Sequence, residues 1–323
     1  MTTPANQAMT STDLVSSLMT YIWSQFVPAF RARGFPQRAV LDVSDTIATT
    51  GQSAKVTVGQ VMPSSLLSDG NTRVLTDLPP LVAEVTLTQD RYVAFGLTQL
   101  VQAFINGQAT LPALINAALN GLLNDMETDI VTNLVANAPQ SVGAFGTPIS
   151  ASTIISAFAA LVQSYMPQET FYGLLAPTAG AITPFAQITN IVYAQERGSN
   201  RPGAGADQSL AAAPGESIMQ DVSYMGGLWS ASQLVPAPTV SGAVQASNIV
   251  WHPKALAVAV RPMPIPTQGT GAIARNFIDA KTGVAIQMLQ QWNINTQSEE
   301  LVLKVLYGMA AAQPAWSCKV LSN

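Results

Sequence analysis

The sequence carries very little charge for a chain of its length. Asp, Glu, Lys and Arg make up 10% of its 323 residues, whereas about a quarter is typical of globular proteins. A monomer with so few charges would leave apolar area in water, and large exposed apolar patches mark interaction sites. The composition therefore predicts that much of the surface is buried against other chains. A neutral surface of Ser, Thr, Asn and Gln is the alternative, and these residues are also plentiful.

A membrane-spanning helix does not explain the apolar composition. Such a helix needs about 18–20 consecutive apolar residues, and uncharged apolar runs such as residues 255–260 are far shorter. The N-terminus also lacks the basic start and apolar core of a secretory signal. The sequence therefore predicts no membrane partner.

Net charge and cysteine content further limit the binding partners and the cellular compartment that are expected for this chain. The formal net charge is −4 and no basic stripe is present, so specific nucleic-acid binding is not expected. A protein that only encloses DNA does not need to bind it tightly. Cys318 is the only cysteine, which excludes an internal disulfide and fits a reducing cytoplasm. We expect Cys318 to be a small buried hydrophobic residue.

The N-terminal part contains an arm and one predicted helix. Residues 1–13 are polar and are expected to form an arm. Apolar residues then recur every four positions, which predicts an amphipathic helix over residues 14–33. Pro28 would kink this helix, and Gly34 and Pro36 would end it.

An extended segment follows. Residues 38–84 combine alternation at 56–58 with many turn-forming residues, which predicts a long two-stranded excursion with little core of its own. Short strands are predicted at 85–88 and 92–95.

The strongest helical pattern covers residues 111–137. Thr110 and Pro112 suit a helix start, and Pro139 follows the end. This helix would be about 40 Å long, whereas globular helices average about 11–12 residues. Its apolar positions, spaced by three or four, are Leu111, Ile115, Leu119, Leu122, Met126, Ile130 and Leu134.

The second half mixes helices and strands. We predict a helix over 153–165, a buried strand over 171–176 and a mobile loop over 198–216, where Gly, Ala, Pro and Ser dominate. A strand is predicted at 248–251 and a short helix at 253–260. Strands and helices follow one another without βαβ regularity, so the predicted class is α+β.

The C-terminal part is predicted to be β-rich. A second apolar strand, Leu301–Leu306, follows the first after a turn. In the first strand one predicted face carries Ile286, Met288, Trp292 and Ile294, and the other carries Gln287, Gln291 and Asn293.

The chemical motifs do not predict an active site. His252 is the only histidine, and a general base needs an activated partner. No serine lies in a Gly-x-Ser-x-Gly elbow. We expect His252 to cap the helix that follows Pro253, and a hydrolase using His252 is the alternative. The sequence therefore predicts no catalytic residues.

Metal and cofactor motifs are equally weak. A zinc site needs three or four His, Cys or acidic ligands. Asp125, Glu127 and Asp129 form the only acidic cluster, with Asp125 and Asp129 on one helix face. A solvated helix face is the expected role, and a cation held between subunits is the alternative. Residues 269–274 match Gly-x-Gly-x-x-Ala, but a proline-rich segment precedes them and a β-rich segment follows, so a dinucleotide site is rejected. The sequence therefore predicts no metal site and no cofactor-binding site.

Five segments, in their order along the chain, carry a resemblance to a known family. They are 85–95, 111–137, 170–180 (TFYGLLAPTAG), 248–261 (NIVWHPKALAVAVR) and 279–308, which closes on Leu-Tyr-Gly. This order resembles the major capsid proteins of tailed bacteriophages, which share the Hong Kong 97 shell fold. In that family these segments are the strands entering the spine helix, the spine helix itself, two axial-domain segments and the returning strands.

The resemblance implies a division of the chain. It predicts an N-terminal arm, an extended loop, a peripheral domain with the spine helix, and an axial domain. Their bounds are 1–38 for the arm, 39–84 for the loop, 85–147 with 267–306 for the peripheral domain, and 148–266 with 307–323 for the axial domain.

The function implied is structural and not enzymatic. Members self-assemble into pentamers and hexamers of an icosahedral shell around a double-stranded DNA genome, in virions built in the host cytoplasm. The chain has no long charged N-terminal scaffolding segment, so the resemblance implies a separate scaffolding protein, a portal and, optionally, a decoration protein. No cross-linking Lys–Asn pair is identified; Lys55 lies in the loop. An encapsulin-like nanocompartment shell is the alternative within the fold.

Overall fold

The computed structural model describes eleven stretches of the chain: 39–44, 53–58, 81–98, 110–167, 169–178, 180–181, 184–185, 222–265, 273–278, 285–295 and 298–323. The predicted arm, the helix over 14–33 and the loop over 198–216 lie outside them.

Two helices, sixteen strands and two short 3-10 turns make up the described part. The helices are α1 (Thr110–Asn137) and α2 (Ala151–Gln163), and the 3-10 turns are Pro253–Ala255 and Pro314–Trp316. The strands are β1 (Leu41–Asp42), β2 (Ser53–Val58), β3 (Leu81–Thr86), β4 (Gln89–Thr98), β5 (Gln140–Gly143), β6 (Phe171–Leu175), β7 (Val222–Tyr224), β8 (Gly227–Ala231), β9 (Thr239–Val240), β10 (Ala243–Val244), β11 (Ala246–Trp251), β12 (Leu256–Arg261), β13 (Ile273–Ile278), β14 (Ala285–Asn293), β15 (Ser298–Ala311) and β16 (Ser317–Ser322). The α+β prediction is confirmed.

The long helix is present as predicted and begins one residue earlier, at Thr110. Its apolar positions are buried wherever their burial is described, including Leu122, Met126 and Ile130. At the end of the helix, the backbone N–H of Ala138 donates to the carbonyl of Leu134. None of the described helices is both long and apolar enough to cross a membrane.

Helix α2 begins and ends two residues before the predicted positions. Ser150 caps its start, because the Ser150 hydroxyl accepts the N–H of Thr153 at 3.2 Å. Tyr165 has a left-handed φ of 55°, which is incompatible with a helical turn and ends the helix before it.

The contacts divide the chain into two compact units. The described residues of the first fall within 87–126 and 260–308, and those of the second fall within 36–86, 127–259 and 309–323. The predicted domains also alternate along the chain, but their borders differ. The unit border divides α1 after Met126 and groups β2 and β3 with the second unit.

An antiparallel sheet forms the first unit. Its described order is β4, β15, β14, β13. Leu301 of β15 pairs with Phe95 of β4 on one side and with Gln290 of β14 on the other. Strand β15 is much longer than the predicted 301–306, because its pairing with β4 runs from Ser298 to Tyr307 and the strand continues to Ala311.

The predicted faces of β14 hold only in part. Ile286 and Met288 are buried, whereas Gln291 is exposed. Gln287 was expected to face water but is buried, because its amide donates to the carbonyls of Met263 and Pro264 at 3.2 Å each. Ile294 was placed on the apolar face, which is wrong. It lies in the turn after the strand and is 78% exposed. The side chain of Trp292 lies outside the description.

A six-stranded sheet forms the core of the second unit, in the order β5, β16, β11, β6, β8, β7. Helix α2 contributes Ile154, Ala157 and Leu161 to the apolar cluster of this unit. Phe171 of β6 and Trp229 of β8 belong to the same cluster, with ring centroids 6.1 Å apart at an edge-on angle of 87°.

The predicted helix over 253–260 is wrong. Only the 3-10 turn Pro253–Ala255 is helical, and β12 follows it from Leu256 to Arg261. Residues 255–260 are all buried. A short apolar run that is buried on every side does not show alternation, so periodicity alone does not distinguish a buried strand from a buried helix.

Strands β2 and β3 form the base of the predicted extended loop. They pair antiparallel, from Ser53 opposite Thr86 to Val58 opposite Leu81. The return strand therefore continues beyond the predicted loop border at residue 84. The strand predicted at 92–95 lies inside the longer β4.

Asn248 of β11 ties three segments of the second unit together. Its buried amide donates to the Val320 carbonyl at 2.9 Å and to the Ser322 hydroxyl at 3.0 Å. Its carbonyl oxygen accepts the Ala176 N–H at 2.6 Å.

We expect Asn248→Ala to lower the free energy of unfolding by about 2 kcal/mol, because it leaves buried backbone groups without partners. Equilibrium urea denaturation of the unassembled subunit measures this cost. Asn137→Ala is the matched control. It removes the exposed hydrogen bond that the Asn137 side chain donates to the Asn133 carbonyl at the end of α1. This change should alter the free energy of unfolding by less than about 0.5 kcal/mol. Equal values for the two variants would contradict the prediction.

Candidate functional site

His252 lies at the junction of β11 and the 3-10 turn, inside the second unit. Its side chain is completely buried. The ring Nδ1 accepts the backbone N–H of Lys254 at 3.2 Å, which caps the turn. The ring Nε2 lies 3.2 Å from a carboxylate oxygen of Glu169, and the Trp316 ring meets the imidazole edge-on with centroids 5.3 Å apart. The predicted capping role is therefore present, on a 3-10 turn instead of an α-helix.

The surroundings of His252 keep its imidazole neutral. Burial lowers the pKa of His252 below the ordinary 6.5, and the nearby Glu169 carboxylate opposes this shift without cancelling it. Lys254 lowers the pKa slightly further. Because Nδ1 accepts a hydrogen bond, the single proton of the neutral ring is on Nε2. The ring therefore donates to Glu169.

The His252 geometry does not form a nucleophile–base pair. Both ring nitrogens are occupied, one by a backbone N–H and the other by a carboxylate. The Ser317 hydroxyl donates to the Pro314 carbonyl. Burial raises the pKa of Cys318 to about 11, so that thiol stays protonated and unreactive at neutral pH. This arrangement orients a turn and has no activated nucleophile for acyl transfer.

A pH dependence of stability follows from the lowered pKa of His252. The unfolded chain binds a proton near the ordinary pKa of 6.5, whereas the folded chain resists it. Stability is therefore complete above that pH and falls as the pH drops below it, by at most about 1.4 kcal/mol per pH unit. Thermal unfolding at pH 7.5 and 5.5 measures the loss. His252→Gln should lose less stability than the parent between these two pH values. An equal loss in the variant and the parent would show that His252 does not cause the pH dependence.

The acidic cluster does not form a metal site in the described part of the chain. Asp125 is exposed, Asp129 is half-buried and Glu127 is buried. Across the described residues no three His, Cys, Asp or Glu side chains are grouped closely enough to hold a metal ion. Strand β13 begins inside the Gly-x-Gly-x-x-Ala segment, at Ile273, where a dinucleotide motif requires a helix.

Several large apolar side chains and one face of the β2–β3 ribbon are exposed in the described part of the chain. In β3, Ala83 and Val85 are buried, whereas Val82, Glu84 and Thr86 are exposed. Lys55 of β2 is exposed and lies in register with Glu84. The large apolar side chains that reach solvent are Val82, Tyr92, Phe145, Ile155, Val162, Tyr165, Met225, Val240, Ile265, Ile278 and Ile294.

The sequence did not reveal the partners of His252 or the conformation of Tyr165. Glu169 is 83 residues from His252 along the chain, and no local pattern joins them. The sequence predicts a helix that includes Tyr165, and no glycine stands there to mark a left-handed helix end.

Solved structures similar to this chain include a phage capsid and an encapsulin. A structure from Mycobacterium phage Che8 is 14% identical, with a TM-score of 0.55, 88% of this chain covered and 90% of that one. The capsid of cyanophage P-SCSP1u is 13% identical, with a TM-score of 0.52 and coverages of 88% and 86%. The holo-SrpI encapsulin complex of Synechococcus elongatus PCC 7942 is 12% identical, with a TM-score of 0.50 and coverages of 99% and 90%.

No protein-family model matches the sequence, and no curated protein matches it. At these identities the structural likeness establishes the fold. It covers 88% or more of this chain and 86% or more of each of the three structures. The chain therefore has the Hong Kong 97 shell fold.

Proposed function

We propose that this chain is the major capsid protein of a tailed bacteriophage, and that its pentamers and hexamers form the icosahedral shell around a double-stranded DNA genome. The observation that carries the proposal is the fold, matched over 88% of the chain to the cyanophage capsid. The charge content of 10% supports it independently, because a closed shell buries the neutral surface that such a chain leaves on a monomer.

The proposed mechanism is geometric. Residues 148–266 with 307–323 act as the axial domain around the pentamer and hexamer axes, and 85–147 with 267–306 act as the peripheral domain. The loop based on β2 and β3 lies across a neighbouring subunit. A two-stranded ribbon is only marginally stable by itself, and backbone pairing along its edges supplies affinity without charged side chains. The arm, residues 1–38, clasps another subunit.

The proposed partners follow from this role. They are further copies of the chain, a separate scaffolding protein, a portal and, optionally, a decoration protein. The shell encloses DNA without reading its sequence, in keeping with a net charge of −4. The proposed location is the virion, after assembly in the host cytoplasm. The chain has no proposed catalytic role, because the His252 ring is buried and both of its nitrogens are occupied.

The test is expression of the full chain, alone and with candidate scaffolding proteins, followed by size exclusion and negative-stain electron microscopy. Closed shells, pentamers or hexamers are the expected result. A monomer under every condition, with scaffold included, would refute the proposal and would leave His252 as the target of a hydrolase screen.

An encapsulin-like nanocompartment shell is the second candidate. One observation favours it: the encapsulin of Synechococcus elongatus aligns with 99% of this chain. The contents of native particles discriminate between the two, since a phage shell contains genomic DNA and a nanocompartment contains a cargo protein. Particles that form without any scaffold and enclose protein would support the nanocompartment.

A further inference from the structure

Tyr165 has a backbone conformation that glycine adopts far more easily. Helix α2 ends at Gln163, and Tyr165 follows with a φ of 55°. Its N–H donates to the Val162 carbonyl at 3.0 Å, and the N–H of Met166 donates to the Leu161 carbonyl at 3.3 Å. These two bonds define a Schellman motif, whose left-handed residue is usually Gly because a Cβ atom is strained there.

The Tyr165 side chain contributes little packing within its own subunit that would offset this strain. It is 72% exposed, although tyrosine has one of the larger apolar surfaces among side chains. Strained residues that the fold of one subunit does not require are found at functional sites, where the strain persists for another purpose. Tyr165 meets this description.

An exposed apolar face of α2 leads up to Tyr165. Ile155 and Val162 lie two turns apart on one side of the helix, and each is 51% exposed. The adjoining side, about 100° around the helix, buries Ile154 and Leu161 in the core of the second unit. We refer to Ile155, Val162 and Tyr165 as the α2 stripe.

The charge around the α2 stripe indicates which partner suits it. No Asp, Glu, Lys or Arg occurs from residue 130 to residue 168, between Asp129 and Glu169. A surface built from this segment has no side-chain charge with which to attract a phosphate backbone or a charged peptide. It fits a second neutral surface, and this chain supplies one, since only 10% of its residues are charged. The first charged residue after the segment, Glu169, pairs with Lys254 at 3.5 Å, so it adds little like-charge repulsion between copies.

We propose that the α2 stripe is a contact surface for a second copy of this chain, with Tyr165 as its anchor. The inference rests on the proposed function, because it assigns one of the contacts that hold a shell together. Tyrosine is enriched among the residues that dominate interface energies, since it buries a large rigid surface with few rotatable bonds. The strained cap therefore weakens the free subunit slightly and presents the ring to the neighbour.

Tyr165→Gly separates this role from an ordinary structural one, because it is expected to act in opposite directions on stability and on assembly. It relieves the left-handed strain, so the melting temperature of the unassembled subunit should rise by about 2 °C. It also removes the anchor, so the subunit concentration needed for half-maximal shell formation should rise at least about tenfold. Light scattering and electron microscopy follow assembly.

Two further variants isolate the ring from the backbone. Tyr165→Asn keeps a residue that tolerates the left-handed conformation and should impair assembly as strongly as Gly. Tyr165→Phe keeps the ring and should assemble within about threefold of the parent, well under the tenfold change that marks the loss of an anchor. Parent-like assembly of both the Gly and Asn variants would overturn the inference and leave the proposed function standing.

Two other results would also overturn it. A parent chain that never assembles refutes the inference and the proposed function together. Binding of the parent chain to neutral phosphatidylcholine vesicles, lost in Tyr165→Asn, would assign the α2 stripe to a lipid surface instead of a second copy. Vesicle flotation provides this measurement.

Discussion

Gly173→Ala is expected to destabilise the second unit by about 3 kcal/mol or more, as overpacking of a rigid core does. Gly173 lies in β6, in register with Trp229 of β8. A Cβ atom at Gly173 would overlap the indole ring of Trp229. The ring has no room to move, because Trp229 is buried and Phe185 packs on it with centroids 4.9 Å apart.

Gly121→Ala is the matched control for this substitution. Gly121 lies inside α1, and a Cβ atom there would meet nothing within 4 Å. Alanine is more favourable than glycine in a helix interior, so the free energy of unfolding of this variant should rise by about 0.5–1 kcal/mol. Urea denaturation of both unassembled variants checks the prediction. A Gly173→Ala variant as stable as the parent would mean that Trp229 does not pack on β6 in this way.

Replacement of residues 59–80 by Asn-Gly is expected to abolish closed shells while both compact units stay folded. Val58 pairs with Leu81, so a two-residue turn joins β2 to β3 without a change of register. The replacement removes the part of the loop proposed to reach the neighbouring subunit. Its affinity is lost in every subunit of the shell at once, which multiplies the effect.

The loop variant is judged by two measurements. Circular dichroism and the melting temperature should match those of the parent subunit, whereas electron microscopy should show single subunits or open pentamers and hexamers. A wider deletion of residues 50–75, which also removes β2, should fail in the same way with some loss of stability. Normal shells from the Asn-Gly variant would refute the proposed role of the loop.

The parts of the fold that the sequence predicted are those that local physics determines. Helix α1 keeps apolar residues at three-to-four spacing from Leu111 to Leu134, and no tertiary contact is needed to recognise it. Strand β6 was recognisable as a short apolar run that ends at Pro177. Strand β12 has the same character, but the preceding Pro253 suggested a helix start, and Pro253 begins only a 3-10 turn.

The candidate sites were harder to predict because they depend on distant residues. Gln287 is buried through its bonds to Met263 and Pro264, which lie more than 20 positions away. The turn at Tyr165 lacks the usual glycine, and only its backbone angle identifies it. Charge scarcity predicts contacts between chains without such knowledge, because composition summarises the whole surface and does not depend on knowing which residues meet.

The position of β16 in the second unit has a consequence for how the protein is made. β16 lies between β5 and β11, with Val320 opposite Val142 on one side and opposite Asn248 on the other. Strands β5 and β11 leave the ribosome well before β16 does. Until β16 is synthesised, the edges of β5 and β11 that pair with it stay open. Contacts so distant in sequence form slowly, and open strand edges in the meantime favour aggregation. Strand β5 lies within residues 130–168, which carry no charged side chain, so no charged gatekeeper protects its open edge. Successful production should therefore depend on chaperones or on a slow rate of synthesis.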